Sequence, residues 1–168
     1  MKGRLHHLLL GGVVMLALIL GVAFLSAAPR WRSLPADTAL LRLSFTHSGD
    51  RSASCRNRTP EELAALPPNM RQVRVCDRRR PPVYVELDID GAVVFAAELP
   101  STGLAGSGPS RVYKRVPLPA GAHDIAVRLR DRPETEGFDY TAQTQVTLAP
   151  AQSFVIDFHT EAGGFVFK

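Results

Sequence analysis

The sequence predicts a mainly β protein: an antiparallel β-sandwich preceded by one N-terminal transmembrane helix. Three observations carry that prediction. Leu8 to Ala28 is a run without a single charge. From Leu41 onward, apolar and polar residues alternate in short segments, the period-two pattern of half-buried strands. Turn residues separate those segments, and helical periodicity is nearly absent beyond the N-terminal run.

The apolar run LLLGGVVMLALILGVAFLSAA matches the roughly 20 residues that cross a bilayer as a helix. Lys2 and Arg4 precede it, so a cleaved export signal is the competing reading. Two details favour retention. The core from Leu8 to Leu25 is longer than the usual signal core of about 7–15 residues. The small residues Ser26, Ala27 and Ala28 are followed by Pro29, a poor residue after a scissile bond. The expected organisation is a cytoplasmic tail 1–7, an anchor 8–28, a linker 29–38 and a periplasmic domain 39–168. Basic flanks are balanced, Lys2 and Arg4 against Arg30 and Arg32, so the orientation rests on the short front flank and large C-terminal domain. Trp31 falls where an amphipathic ring settles at a membrane interface. The Arg-, Ala-, Leu- and Pro-rich composition suits a GC-rich bacterial genome, which makes the inner membrane the expected location.

The strands follow in order. Leu41, Leu43 and Phe45 share one face. Val83, Val85, Leu87 and Ile89 share another, opposite Tyr84, Glu86, Asp88 and Asp90. Asp90-Gly91 supplies the two-residue turn of a tight hairpin. The return strand is Ala92 to Leu99, with Val93, Phe95, Ala97 and Leu99 aligned. Val112, Val116 and Leu118 point inward from the next strand. Ile125, Val127 and Leu129 follow the Pro119-Ala120-Gly121 turn, and then come Tyr140 to Leu148, Phe154/Ile156/Phe158 and Phe165/Phe167. One short helix is expected from Thr59 to Ala65: Thr59 as N-cap, Pro60 in the first turn and Glu62 completing a capping box. Pro67-Pro68 stops it.

The hairpin VELDIDGAVV, with Leu118-Pro119-Ala120-Gly121-Ala122-His123 after it, resembles the PEGA-type surface domain over Val83 to Leu129. The resemblance implies a small Ig-like or PEGA-like sandwich on an envelope protein, with a binding or structural role rather than a catalytic one. Ser101 to Ser110 and the cysteine region have no counterpart in that pattern.

Two cysteines, Cys55 and Cys76, read as one disulfide in an oxidising compartment. The alternative is a thiol pair for metal or cofactor delivery, with His47 nearby. Between Arg51 and Arg80 lie eight arginines against Glu61, Glu62 and Asp77. Arg71, Arg74, Arg78, Arg79 and Arg80 are the candidate partner contacts, toward an anionic surface or an acidic protein. The stretch holds no aromatic residue, so nucleic acid is not expected. The glycine-rich segment Thr102 to Ser110 lacks the Gly-Lys-Ser/Thr of a phosphate loop. It is expected to be a mobile connection with a contact tip at Leu104.

Asp157 and His159 share a strand face, yet no nucleophile motif accompanies them. Glu86, Asp88 and Asp90 lack the remaining ligands of a calcium loop. The expectation is a non-catalytic envelope accessory or binding protein with no cofactor, in a complex with a protein partner or anionic surface. A secreted carbohydrate-binding module after signal cleavage is a further alternative.

Overall fold

The computed structural model describes residues 2–28 and 34–168. The expectations for Trp31 and most of the linker lie outside them. Two compact units divide the chain, residues 1–35 and 36–168.

The first unit is helix α1, Lys2–Ala27. Its span His6–Ala27 has a mean hydropathy of 2.8, and none of it is buried. By length and composition the helix is able to cross a membrane. A core helix of a soluble protein would bury one face.

The second unit is built of strands. They are β1 (Thr38–His47), β2 (Cys55–Asn57), β3 (Arg74–Cys76), β4 (Val83–Ile89), β5 (Ala92–Leu99), β6 (Ser110–Pro119), β7 (Gly121–Arg130), β8 (Tyr140–Leu148), β9 (Ser153–His159) and β10 (Gly164–Phe167). Two four-stranded sheets form, in the orders β10-β9-β1-β6 and β5-β4-β7-β8. One core joins them. Leu41, Leu43, Ile156 and Phe158 enter it from the first sheet, and Val85, Leu87, Val127 and Leu129 from the second. Leu41, Leu43, Leu87, Ile125 and Ile156 are fully buried. Each buried aliphatic side chain contributes roughly 1.5–3 kcal/mol, which is why the alternation was such a reliable guide.

Two expectations need correction. The sheets are not wholly antiparallel, because β9 runs parallel to β1. The cause is directional: β8 ends at the same pole where the chain enters β1, so β9 must start there and run the same way. Val93 does not join the inward row of β5. Leu87 pairs with Phe95 but Asp88 pairs with Val93. Val94 is therefore an extra bulged residue, and the residue before it turns to the outer face. Val93 is 54% exposed.

The Asp90-Gly91 turn forms with φ of 55° and 80°, the doubly positive backbone that this hairpin needs. Helix α2, Pro60–Ala64, carries its capping box: Thr59 Oγ1 accepts from the Glu62 amide, and the Glu62 carboxylate accepts from the Thr59 amide. The Arg56 guanidinium and that amide hold the Glu62 carboxyl down at about 2.

The strands give the domain two poles. The entry pole holds Asp37, the 90–91 turn, the 119–121 turn and the 149–152 turn. The far pole holds the excursion 48–82, the loop 100–109 and the loop 131–139. β1 connects them, and ten residues at about 3.3 Å each put the poles roughly 30 Å apart.

Candidate functional site

The far pole gathers both segments that the sequence singled out. Residues 48–82 leave β1 after His47 and return at Val83, the β4 start. They fold as a small satellite. β2 and β3 pair over three residues, with Cys55 directly opposite Cys76. Their sulfurs stand at bonding distance, 2.03 Å. No residue of α2 is buried, so the excursion adds surface rather than core.

The glycine-rich segment Thr102 to Ser110, expected from the sequence to be a mobile connection, is hydrogen-bonded at several points. Thr102 Oγ1 donates to the Pro109 carbonyl at 2.7 Å, and the Gly108 amide donates to the Thr102 carbonyl at 2.8 Å. The Arg80 amide donates to the Gly106 carbonyl at 2.8 Å, and Arg80 Nε donates to the Ser107 carbonyl at 3.2 Å. Arg80 Nη1 reaches the Gly49 carbonyl at 3.3 Å. One arginine thus pins the start of the excursion, its end and the glycine loop together. Gly106 is required there. Its φ is +60°, and a Cβ would lie 3.1 Å from Ser101 Oγ and 3.3 Å from Arg79 Cγ.

The other candidate residues distribute around this junction. Leu104 projects from the loop tip, fully exposed. Arg78 and Arg79 are exposed in the segment before Arg80. Arg71 and Arg74 are exposed too, but stand farther along the excursion, where Arg71 Nε donates to the Leu66 carbonyl. Arg56 is spent on a two-pronged pair with Glu62, at 2.8 Å in each prong. Met70 and Val73, on either side of Arg71 in the chain, are exposed apolar residues.

A cavity of about 680 Å³ opens under the junction. Arg51, Arg79, Pro82, Pro100, Glu98 and Glu134 are among its walls. Pro81 and Pro133 also line it, and with Pro82 and Pro100 they supply rigid apolar area without amide donors. Asp50, Asp77, Glu98 and Glu134 line it together with Arg51, Arg79 and Arg80, so the site offers both signs of charge with a slight acidic excess.

Beside it lies a polar cleft of about 520 Å³ that the sequence did not reveal. His47 Nε2 and Asp131 Oδ2 are 2.6 Å apart, with side chains only 10% and 8% exposed. Burial raises the Asp131 carboxyl above its ordinary range, and His47 opposes that rise. The His47 ring also packs on Phe158, 4.6 Å between centroids. Asp139 is pushed up by burial, but Arg132 and the amides of Asp131 and Arg132 outweigh this and hold it low. The Asp50 amide donates to the Asp131 carbonyl at 3.0 Å, which joins the excursion to the 131–139 loop. Among the described residues, no hydroxyl or thiol hydrogen-bonds to His47, so the pair lacks the nucleophile of a triad.

Asp157 and His159 do meet, at 3.0 Å. Asp157 also accepts from Lys168 Nζ and from the Phe158 amide. Glu86 pairs with Arg128, and Asp88 accepts from the Gly91 amide. His123 latches the entry pole: Nδ1 lies 2.7 Å from Asp90 Oδ2, and Nε2 lies 2.9 Å from the Pro119 carbonyl. Both partners only accept, so the ring serves both only as the doubly protonated imidazolium. Accordingly Asp90 and then the Pro119 carbonyl raise the His123 pKa. No group of three or more His, Cys, Asp or Glu side chains suited to a metal ion occurs among the described residues.

Comparison with family models, curated proteins and solved structures finds no match to this chain.

Proposed function

We propose that this chain is a membrane-anchored, non-catalytic accessory protein of the bacterial envelope. In this reading α1 is retained in the inner membrane and the strand domain stands in the periplasm, as an Ig-like or PEGA-like sandwich. The far pole binds a protein partner, through Arg78, Arg79 and Leu104 around the junction that Arg80 holds.

One observation supports this most. Arg80 fastens the excursion and the glycine loop into a single surface, about 30 Å from where the chain enters the domain. Arg78 and Arg79 are exposed on that surface, which favours an acidic protein as the partner. The mixed charges and prolines that line the 680 Å³ cavity suit an extended peptide segment that carries both signs of charge, with an acidic side chain for Arg79.

Metal or cofactor delivery through Cys55 and Cys76 requires the reduced thiols, and His47 would have to leave Asp131 to join them. Pull-down from solubilised membranes tests the proposal. Replacing Arg78 and Arg79 with Ser is expected to remove at least one partner protein. Partners unchanged by that replacement would refute it.

A further inference from the structure

We propose that two copies of this chain pair through the outer edge of β8, making one continuous eight-stranded sheet. The two strand sheets have four edges, and three are guarded. β6 carries Arg111, Lys114, Arg115, Pro117 and Pro119. β10 is only four residues long. β5 is disrupted by the bulge at Val94. Charges, prolines, short length and bulges are the devices that keep edges from joining. β8, Tyr140–Leu148, has none of them: its nine residues YTAQTQVTL include no charge and no proline. Its ladder with β7 runs in unbroken register from Gly121↔Leu148 to Leu129↔Tyr140. On its other side no strand is hydrogen-bonded to it among the described residues, and the four-residue β10 of the other sheet packs beside it, with Gly164 near Tyr140.

The sequence of β8 says which strand fits. Thr141-Ala142-Gln143-Thr144-Gln145-Val146-Thr147 is nearly a palindrome about Thr144. A two-fold axis through Thr144 in an antiparallel pair sets Thr141 against Thr147 and Gln143 against Gln145. It sets Ala142 against Val146 and Tyr140 against Leu148. The first two pairs lie on the exposed face, and the last two face the core side. Thr–Thr pairs are favourable across strands. A Gln carboxamide both donates and accepts, so it satisfies its own kind. An isologous interface joins each residue to its two-fold mate, so this near-symmetry gives self-pairing a like partner at both the Thr and the Gln positions.

One strand pair buries less than the roughly 1,200 Å² of a stable interface. The pairing therefore relies on tethering both copies in one bilayer, which raises their effective concentration. This step alone rests on the membrane reading of α1.

The test uses the full chain in membranes. Both native cysteines are bonded to each other and none is free, so an introduced thiol is unique. Two differently tagged copies carry Gln143→Cys and Gln145→Cys. Mild oxidation is expected to give a mixed disulfide dimer at least tenfold above a Tyr113→Cys control on the guarded β6 edge. Thr141→Lys with Thr147→Lys in both copies sets like charges opposite each other, and is expected to cut that yield at least tenfold. Protease resistance of the strand domain confirms that these exposed replacements leave it folded. A yield equal to the control, or one indifferent to the lysines in a protease-resistant chain, would overturn the pairing whatever the far pole binds. Membrane fractionation of the same samples separates failure of the tether from failure of the interface.

Discussion

Reducing the Cys55–Cys76 bond is expected to open the excursion and leave the two sheets intact. The two cysteines are 21 residues apart. In the chain-entropy treatment, closing a loop of that length stabilises the folded state by about 3 kcal/mol. Little else holds the satellite. α2 buries nothing, its capping box contributes about 1 kcal/mol, and the Arg56–Glu62 pair is exposed and screened by solvent. Losing about 3 kcal/mol raises the open population by about two orders of magnitude. Hydrogen exchange read by mass spectrometry measures this directly. Amides between Cys55 and Cys76 should exchange about a hundredfold faster after reduction or in the Cys55→Ser, Cys76→Ser variant. The Arg80 amide, bonded to Gly106 outside that loop, should keep its protection, as should β4 and β7. Unchanged exchange across 55–76 would refute the reasoning, and so would global unfolding. If zinc restores protection to the reduced chain, metal delivery gains over the binding reading.

The His123 latch gives the domain a pH signature. Its raised pKa means that its contribution is complete below the ordinary histidine value and fades as pH rises through the folded value. Asp90 is held low by His123 and the Asp124 amide, so its own contribution fades only as strong acid protonates it. Thermal unfolding at pH 5.5 and pH 9 should show a stability loss toward the alkaline side, and His123→Gln should flatten it; an unchanged difference contradicts the latch. Asp131→Ala strips a buried hydrogen-bond partner from His47 and should cost about 1–3 kcal/mol, read from urea unfolding; Asp131→Asn should cost clearly less, and equal costs would contradict the pairing. Ile156→Ala, at a fully buried site, should cost about 2–5 kcal/mol, whereas Arg78→Ser at an exposed site should leave the midpoint nearly fixed.

What the sequence made legible was local. Alternation exposed β1, β4, β6, β7 and β9 because one face of each is buried, and period two follows directly from the pleat. The helix cap at Thr59 and the turn at Asp90-Gly91 were readable because both are completed within three or four residues. The bulge at Val94 was not: Val93, Val94 and Phe95 are all apolar, so nothing in their order marks which one faces out. The parallel β1–β9 pairing was hidden because strand neighbours are chosen by the whole chain path. The same is true of the far pole. His47 and Asp131 are 84 residues apart, and Arg80 meets Ser107 across 27. Composition pointed to the arginines and the glycine loop separately, and only the fold brings them to one surface.

Site-specific photocrosslinking of the full chain in its membrane tests that surface most directly. The photoreactive residue is placed at Arg79 or Leu104 on the far pole, and at Ala120 or Ala149 on the entry pole. The account expects one protein adduct, formed from the far positions and lost with Arg78→Ser and Arg79→Ser carried beside a probe at Leu104. Adducts that form only from Ala120 and Ala149, or only with lipid, would contradict it.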